Sequence, residues 1–364
     1  MSKTFKLALL LCLLTMSMGS FAKKKVQQPV AQRWTVEKAN AWYASKPWLR
    51  GCNYIPANAI NQIEMWSRDT YDAKQIDKEL TWAQELGFNT MRVFLSSVVY
   101  ANDPDGMKQR MDNFLSICQK HGIQPLFVFF DDCWNPEATY GKQPEPKTGI
   151  HNSGWLRDPS MSLRKDTVKL YQSLSTYVKD ILTTFGKDER ILLWDLYNEP
   201  GNNGLTTQSL PLLRKVFEWA RQANPSQPVT ACVWNTAADF QPLNKFVLDN
   251  SDVISYHNYS PQASHRDEID YLSICGRPLV CTEYMARKQG STFSSIMPLL
   301  KERKVVAINW GFVAGKTNTI YAWSTPMPQG GEPELWFHDI LRPDGSPFSQ
   351  DEVDFIKKIN GVIK

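Results

Sequence analysis

The chain has 364 residues, of which 42% are hydrophobic and 21% are charged, and its formal net charge is +4 at pH 7. This composition is typical of a globular protein with one large domain or two modest ones. The small net charge does not indicate a nucleic-acid partner, because no run of Lys and Arg is longer than the three lysines at 23–25. The chain is rich in aromatic residues, with 13 Trp and 13 Tyr. Most are expected in the core, but tryptophans beyond what a core needs often face flat, amphipathic ligands.

The first 22 residues have the features of a secretory signal peptide. A cationic start at 1–6 precedes a short apolar stretch at 7–16 and the small-residue cleavage site "SFA" at 20–22. The apolar stretch is too short to span a bilayer, and the bulky Leu11 before Cys12 disfavours a lipid anchor. The sequence therefore predicts cleavage near Ala22 and a secreted or periplasmic protein without a membrane span.

Six cysteines remain in the predicted mature chain. Several lie in strand-like segments, which favours small buried thiols, although an exported protein could pair some of them and the sequence does not show which. The six are Cys52, Cys118, Cys133, Cys232, Cys275 and Cys281.

After a lead-in segment at 23–46, predicted strands and helices alternate over residues 47–364. The strands are continuous apolar runs bounded by turn residues, and the helices show apolar residues at helical spacing. The predicted strands are 48–56, 90–96, 124–134, 191–197, 229–235, 253–260, 279–286 and 306–315. The predicted helices are 72–87, 107–122, 162–186, 209–224, 238–250, 264–275, 292–303 and 349–360.

Continuous apolar strands are typical of a parallel sheet that is buried on both faces. Eight strand-then-helix units predict an α/β fold, a (β/α)₈ TIM barrel in a single domain, which takes about 250 residues before insertions. An open doubly wound sheet is the alternative, but no Gly-rich nucleotide loop follows the first strand. The Pro/Gly-rich stretches at 135–160 and 324–334 are predicted to be long loops on the barrel.

Polar and aromatic residues follow the predicted strands, and a TIM barrel has its active site at these strand ends. They are Arg92, Asp131, Asp132, Asn198, Glu199, His257, Tyr259, Glu283 and Trp310. Strands four and seven lie on opposite sides of a barrel mouth, so Glu199 and Glu283 are expected to face each other across a cleft. Two opposed carboxyl groups hydrolyse glycosidic bonds when one stays protonated and the other is ionised.

The segments "MRVF", "NEP", "HNY", "TEY" and "NWGF" occur in that order, one per strand. This set resembles glycoside hydrolase family 5 and its relatives in clan A, over essentially the whole mature chain. The resemblance implies that Glu199 is the acid/base and that Glu283 is the nucleophile. It also implies cleavage of β-linked sugars with retention of configuration, by double displacement and with no metal or cofactor.

The neighbouring residues have predicted roles in binding the substrate. Arg92 would keep Glu283 ionised, since a nearby cation lowers a carboxyl pKa. Asn198 would donate to the sugar hydroxyl next to the reacting carbon. Tyr259 would donate to the nucleophile, and His257 would orient the site or contact the substrate.

Aromatic and acidic residues complete the predicted site. Trp310 would form the stacking floor, and Trp134 and Asp132 are further substrate-binding candidates, although a solvated loop or a salt bridge is as good an explanation for Asp132. Other tryptophans that follow strands and could stack on sugars are Trp155, Trp234 and Trp323. The segment "FFDDCW" at 129–134 lacks the histidine that family 5 commonly carries near the end of strand three, which leaves the subfamily and its sugar open.

The sequence therefore predicts a monomeric glycoside hydrolase whose partner is an oligo- or polysaccharide. An endo-β-glycanase acting on glucan, mannan or xylan is preferred, and an exo-acting β-glycosidase is the alternative. The conformation of the long loops, which the sequence does not show, decides between them. A non-catalytic glycan-binding barrel is disfavoured because both glutamates are present. A metal-dependent hydrolase is disfavoured because, of the histidines, only His257 lies at a strand end.

Overall fold

The computed structural model describes residues 32–364, so the predicted signal peptide and the first part of the lead-in segment lie outside the described residues. The strands are β1 (Arg50–Asn53), β2 (Thr90–Phe94), β3 (Gln124–Val128), β4 (Trp194–Asp195), β5 (Val229–Thr230), β6 (Cys232–Val233), β7 (Ile254–His257), β8 (Leu279–Glu283) and β9 (Val306–Asn309). The helices are α1 (Val36–Ala44), α2 (Gln62–Trp66), α3 (Ala73–Glu85), α4 (Ser97–Asn102), α5 (Pro104–Lys120), α6 (Met161–Arg164), α7 (Thr167–Phe185), α8 (Leu210–Ala223), α9 (Gln241–Asn250), α10 (Gln262–Ser273), α11 (Phe293–Glu302) and α12 (Gln350–Ile359).

All strand pairs are parallel, and the sheet order is β5-β4-β3-β2-β1-β9-β8-β7-β6. The two ends of this order, β5 and β6, are separated in sequence by one residue, Ala231. They are two pieces of one interrupted strand, of which one piece pairs with β4 and the other with β7. The sheet is therefore a closed eight-stranded barrel, which confirms the predicted (β/α)₈ fold.

Several predicted elements differ in extent from the observed ones. The fourth strand was predicted over 191–197 but has ladder pairing only at Trp194–Asp195. The third strand ends at Val128 instead of continuing to 134. The predicted helix at 162–186 is two helices, because Asp166 accepts a hydrogen bond from the Lys169 backbone N–H and caps the start of the second one.

The interior of the barrel differs between its two ends. A cluster of aliphatic side chains, nearly all fully buried, fills the amino-terminal end, and it consists of Leu49, Leu126, Leu192, Leu193, Val253, Val280, Val306 and Ile308. Buried polar side chains occupy the carboxyl-terminal end, including Arg92, Asp195 and Asn309 at 0% exposure. The apolar end packs the barrel, and the polar end carries the candidate site.

Two long connections rise above the carboxyl-terminal end. Residues 129–160 form the third-strand loop, between β3 and α6, and residues 310–349 form the eighth-strand loop, between β9 and α12. The six cysteines within residues 32–364 are all free thiols, and all but Cys275 are buried. No helix in this part of the chain is both long and apolar enough to cross a bilayer.

Candidate active site

A cleft of about 670 Å³ opens at the carboxyl-terminal end of the barrel. Glu199, His257 and Glu283 line it together with several aromatic side chains from the loops. The sequence placed both glutamates at strand ends around one cleft, and the structure brings them together there. One carboxylate oxygen of each lies within 4.8 Å of the other and of a ring nitrogen of His257.

Glu283 is the last residue of β8 and has hydrogen-bond donors on both carboxylate oxygens. Arg92 Nη1 donates to Oε1 at 2.7 Å, and the Tyr259 hydroxyl donates to Oε2 at 2.7 Å. Burial raises the pKa of Glu283 on balance, while the Arg92 guanidinium and the Tyr259 hydrogen bond lower it. Arg92 and Tyr259 therefore stabilise the ionised carboxylate in a site that otherwise disfavours charge.

Arg92 connects Glu283 to the polar end of the barrel. It lies in the middle of β2 with no exposed surface, and its guanidinium also donates to Asp195 at 2.9 Å, to Asn53 at 2.9 Å and to Asn198 at 2.7 Å. Because these partners come from β1, β8, β4 and the segment directly after β4, the guanidinium fixes the relative positions of three strand ends. A planar fork of five N–H donors suits this arrangement better than a lysine ammonium would.

Glu199 lies on a sharp turn instead of on a strand. The segments that follow β3 and β4 still run side by side, because the Asn198 N–H donates to the Phe130 carbonyl at 2.7 Å. Glu199 then adopts a positive φ of 41°, and Gly201 follows at 89°. A side chain at Gly201 would place its Cβ 2.8 Å from the Thr206 carbonyl. Only glycine fits this turn, which directs Glu199 into the cleft.

Uncharged partners surround the Glu199 carboxyl group. The Cys133 thiol is 3.1 Å from Oε2, Asn202 Nδ2 donates to the same oxygen, and His257 Nδ1 is 2.8 Å from Oε1. Burial raises the pKa of Glu199, while the hydrogen bonds from Cys133 and Asn202 lower it. The burial effect prevails, and it favours the protonated acid that a proton donor needs near neutral pH.

His257, at the end of β7, lies between the two glutamates. Its Nδ1 atom is 2.8 Å from Glu199 and 3.3 Å from Glu283. Burial lowers the pKa of His257 to about 4, so the ring is neutral at pH 7. These three residues could offer a metal ion one ligand atom each. The donors from Arg92 and Tyr259 on Glu283 fit a carboxylate without a metal better, because a metal would compete with both for the same lone pairs.

Aromatic side chains form the walls of the cleft. Trp310 lines it directly after β9 and contacts Phe94 and Trp155 edge-on, with ring centroids 6.0 and 5.7 Å apart. Trp134 is the most exposed of the tryptophans in the cleft lining, at 40%. Trp323 contacts Tyr259 at 5.1 Å. The tryptophans predicted to follow strands thus line the cleft, although Trp155 is buried at 2% exposure. The exposed Trp134 offers a face to a sugar ring.

The two long loops contact each other beside these tryptophans. Asn152 N–H of the third-strand loop donates to the Thr317 carbonyl at 2.8 Å, and His151 Nδ1 donates to the Tyr321 carbonyl at 2.9 Å. Both Asn152 and His151 line the cleft. Because Nδ1 of His151 carries the proton and burial lowers its pKa to about 4, its other nitrogen is an acceptor. No sequence motif indicates that His151 belongs to this site.

The structure does not bring Asp132, a predicted substrate-binding residue, to the cleft. Its side chain is fully buried and does not line the cleft. Its carboxylate accepts hydrogen bonds from Arg164, Tyr197 and Ser209, and from the Gly201 backbone N–H. Asp132 therefore anchors the turn that carries Glu199, and the salt bridge with Arg164 is the alternative that the sequence had left open.

Asp131 is also a buried structural residue. It accepts hydrogen bonds from Asn198 Nδ2, from the Trp155 indole and from the Cys133 backbone N–H. Cys133 and Asn202, by contrast, contact Glu199 directly and were missed as site residues. Their positions gave a signal, since Cys133 follows the two aspartates of "FFDDCW" and Asn202 lies three residues after Glu199 in one turn.

Comparisons with known proteins add the family. The model of the family described as cellulase (glycosyl hydrolase family 5) matches residues 50–315. A GH5_18 variant from Streptomyces cattleya, solved in complex with Manβ1-4GlcNAc, has a TM-score of 0.59 at 11% identity, over 86% of this chain and 80% of that one. No curated protein matches the sequence.

Two further solved structures share the fold. An endo-β-1,4-mannanase from Thermotoga petrophila has a TM-score of 0.56 at 14% identity, over 85% of this chain and 77% of that one. An exo-β-1,4-mannosidase from Opitutaceae bacterium strain TAV5 has a TM-score of 0.57 at 16% identity, over 87% of this chain. The match covers 59% of that mannosidase, so this chain spans only part of its length.

Proposed function

Because the chain belongs to the cellulase family, glycosyl hydrolase family 5, and is a glycoside hydrolase, we propose that it cleaves β-linked glycans with retention of configuration. Glu199 is the acid/base and Glu283 is the nucleophile. The observation that carries this proposal is the pairing of the two carboxyl groups, with oxygens within 4.8 Å of each other. Retaining enzymes keep the carboxyl groups about 5–5.5 Å apart, whereas inverting enzymes need roughly 6.5–9.5 Å to admit a water.

In the first step, Glu283 attacks the anomeric carbon while Glu199 gives its proton to the leaving oxygen. The bond between carbon and leaving oxygen breaks, and a glycosyl ester forms on Glu283. Arg92 and the Tyr259 hydroxyl keep the attacking carboxylate ionised before the step. The raised pKa of Glu199 keeps the proton available.

In the second step, a water molecule attacks the anomeric carbon of the ester and gives a proton to Glu199. The ester bond breaks, Glu283 leaves as a carboxylate, and the sugar is released with its original configuration. While Glu283 is esterified it carries no negative charge, so the pKa of Glu199 falls. Neutral His257, 2.8 Å from Glu199, supports the carboxylate at this stage by donating a hydrogen bond.

Two further residues bind the sugar whose bond is broken. Asn198 Nδ2 donates one hydrogen to Asp131. Its other contact is the Cys133 sulfur at 3.9 Å, a weak acceptor that the hydroxyl next to the reacting carbon would replace. Trp310 lines the cleft and supplies an aromatic face for the ring. Both roles follow from the positions of these side chains beside the two glutamates.

The contact between the two long loops supports action near a chain end. Hydrogen bonds from Asn152 to Thr317 and from His151 to Tyr321 join the loops into one wall next to Trp323. An open groove that passes a polysaccharide in both directions would need these loops apart. We therefore favour an exo-acting β-glycosidase over the endo-β-glycanase that the sequence favoured.

The first test is hydrolysis of aryl β-glycosides and of β-linked glucan, mannan, xylan and host-type oligosaccharides. The solved structures of similar fold include proteins named for β-1,4-mannosides, so β-mannosides come first in this panel. Release of single sugars or short units would support chain-end action, and a mixture of internal fragments would contradict it. Proton NMR of the first product should show the β-anomer, and activity should survive EDTA.

A further inference from the structure

A separate cavity, of about 710 Å³, lies at the amino-terminal end of the barrel, and we name it the basal cavity. Its walls come from the connections between α1 and β1, between α10 and β8, and between α11 and β9. Leu279 lines this cavity at the start of β8, whereas Glu283 lines the cleft at the end of the same strand. The length of β8 separates the two by about 13 Å, so the basal cavity is not part of the candidate active site.

The charged residues that line the basal cavity are all cations. They are Lys46, Arg277, Lys301, Arg303 and Lys304, and within the described residues no Asp or Glu lines the cavity. Of these five, only Arg303 has a carboxylate partner among residues 32–364, Asp270 at 2.7 Å. Like charges that face one space repel each other, and a cleft lined by one sign of charge concentrates ions of the opposite sign.

Helix ends explain only part of this clustering. The carboxyl end of a helix favours Lys and Arg, and Lys301, Arg303 and Lys304 all lie at the end of α11. Stabilising that helix end does not require cations from other connections to face the same space. Lys46, from the first connection, and Arg277, from the second, nevertheless converge there. This convergence is unfavourable unless an anion occupies the cavity.

Arg277 is the buried member of the group, at 7% exposure. Its Nη atoms donate to the backbone carbonyls of Ser251 and Leu248, and its Nε is buried without a partner in the described part of the chain. Burial lowers the pKa of Arg277, and the nearby carboxylate of Asp252 is already paired with Arg221 at 2.8 Å. A buried cation without a paired anion is destabilising, so a negative group in the cavity would stabilise it.

The basal cavity is also larger and more apolar than a bare ion requires. Tyr43, Pro47, Trp48 and Pro278 line it beside the cations. The Trp48 indole donates to the Val305 carbonyl at 2.8 Å, which holds the ring in place. Pockets of about 300–1,000 Å³ with apolar walls are typical of sites for organic molecules. The cavity therefore suits an organic molecule that carries negative groups.

We propose that the basal cavity binds an organic ligand that carries phosphate ester groups. A phosphate ester group has a charge of about −1.5 to −2 at pH 7 and three acceptor oxygens, so it contacts several cations at once, whereas a carboxylate has a single charge and two oxygens. The phosphates accept hydrogen bonds from Lys46, Arg277 and Lys304, and the carbon skeleton packs against Tyr43 and Trp48. A soluble phosphorylated sugar and a phospholipid headgroup both present this chemistry.

The test measures the binding of fructose 1,6-bisphosphate by calorimetry in wild type and in the double variant Lys46→Gln/Lys304→Gln. Lys46 is partly exposed and Lys304 is exposed, so the variant should fold. We expect its Kd to rise about tenfold, because two charge-assisted contacts are lost. Lys169→Gln/Lys179→Gln is the matched control. It removes the same charge from one exposed and one partly exposed lysine of α7, outside both cavities, and should leave the Kd unchanged.

Vesicles of phosphatidylcholine with and without phosphatidic acid test the headgroup by co-sedimentation. Binding of the bisphosphate identifies a soluble ligand, and binding only to vesicles with phosphatidic acid identifies a headgroup. Either result supports the inference if the double variant weakens it and the control does not. Citrate tests the choice of phosphate, because an equal affinity for this carboxylate anion would overturn that choice.

Absence of binding to both the bisphosphate and the vesicles would overturn the inference. Equal affinities of wild type and the double variant would also overturn it, because the phosphate would then bind elsewhere. Hydrolysis should be the same in wild type and in both lysine variants, since none of the four lysines lines the cleft. The proposed function and the basal cavity are therefore tested independently of each other.

Discussion

The two glutamates of the cleft have opposite kinds of surroundings. Glu283 ends a regular strand and contacts a guanidinium and a phenol hydroxyl. Glu199 lies on a turn with left-handed backbone and contacts a thiol and an amide. Burial raises the pKa of both carboxyl groups. The guanidinium and the phenol hydroxyl act against this effect at Glu283, whereas the hydrogen-bond partners of Glu199 are uncharged, and this contrast separates two identical side chains into two roles.

The largest expected effect comes from removing the nucleophile. Glu283→Gln should reduce kcat by on the order of 10⁴-fold or more, because no glycosyl ester can form. The loss should be similar for aryl glycosides and for oligosaccharides, since both need the same attack. Undiminished hydrolysis by this variant would place the active site elsewhere.

Glu199→Gln should give a loss that depends on the leaving group. For an oligosaccharide, whose leaving oxygen needs a proton, activity should fall by about 10²–10⁴-fold. For a dinitrophenyl glycoside, whose leaving group needs none, the first step should remain fast and the ester should accumulate as a burst. An equal loss of activity on both substrates would contradict the role of Glu199 as the proton donor.

Arg92→Met should act on both stability and activity. It leaves Asp195 and Glu283 buried without their cation, and breaking a buried ion pair costs about 3–5 kcal/mol of unfolding free energy. Urea denaturation measures this cost. Arg221→Met is the matched control, because it removes the partner of Asp252, another fully buried carboxylate, outside the cleft. The control should lower stability but leave the kcat of the folded enzyme unchanged.

The smallest expected effect concerns the pH profile. Activity needs ionised Glu283 and protonated Glu199, so it falls as the pH drops below the pKa of the former and as it rises above that of the latter. The Cys133 thiol lowers the pKa of Glu199, so Cys133→Ala should raise that pKa and move the alkaline limb of kcat/KM to higher pH. Cys118→Ala, a buried thiol outside the cleft lining, should leave the limb in place. A shift to lower pH would contradict this assignment.

The fold and the positions of the two glutamates could be predicted from the sequence. Continuous apolar strands followed by amphipathic helices predicted the barrel. A strand that is buried on both faces of a parallel sheet is apolar at almost every position, and this pattern is easy to recognise in a sequence. The barrel topology then implied that Glu199 and Glu283 share one mouth. The family resemblance, carried by one short motif per strand, is confirmed by the match over residues 50–315.

Other features depend on contacts that local sequence does not encode. The buried position of Asp132 could not be predicted, because the sequence pattern is the same for an acidic residue that faces the cleft and for one that anchors the next turn. His151 reaches the cleft only because its loop hydrogen-bonds to Tyr321, which is 170 positions away.

The most direct test of the account is to trap the glycosyl ester. A 2-deoxy-2-fluoro glycoside with a good leaving group, made from the sugar that the enzyme hydrolyses, should inactivate it by slowing the second step more than the first. Mass spectrometry of the digested protein should then find the label on the peptide that contains Glu283. A label on another residue would contradict the assignment of the nucleophile. Absence of a label, together with release of a product of inverted anomeric configuration, would contradict double displacement.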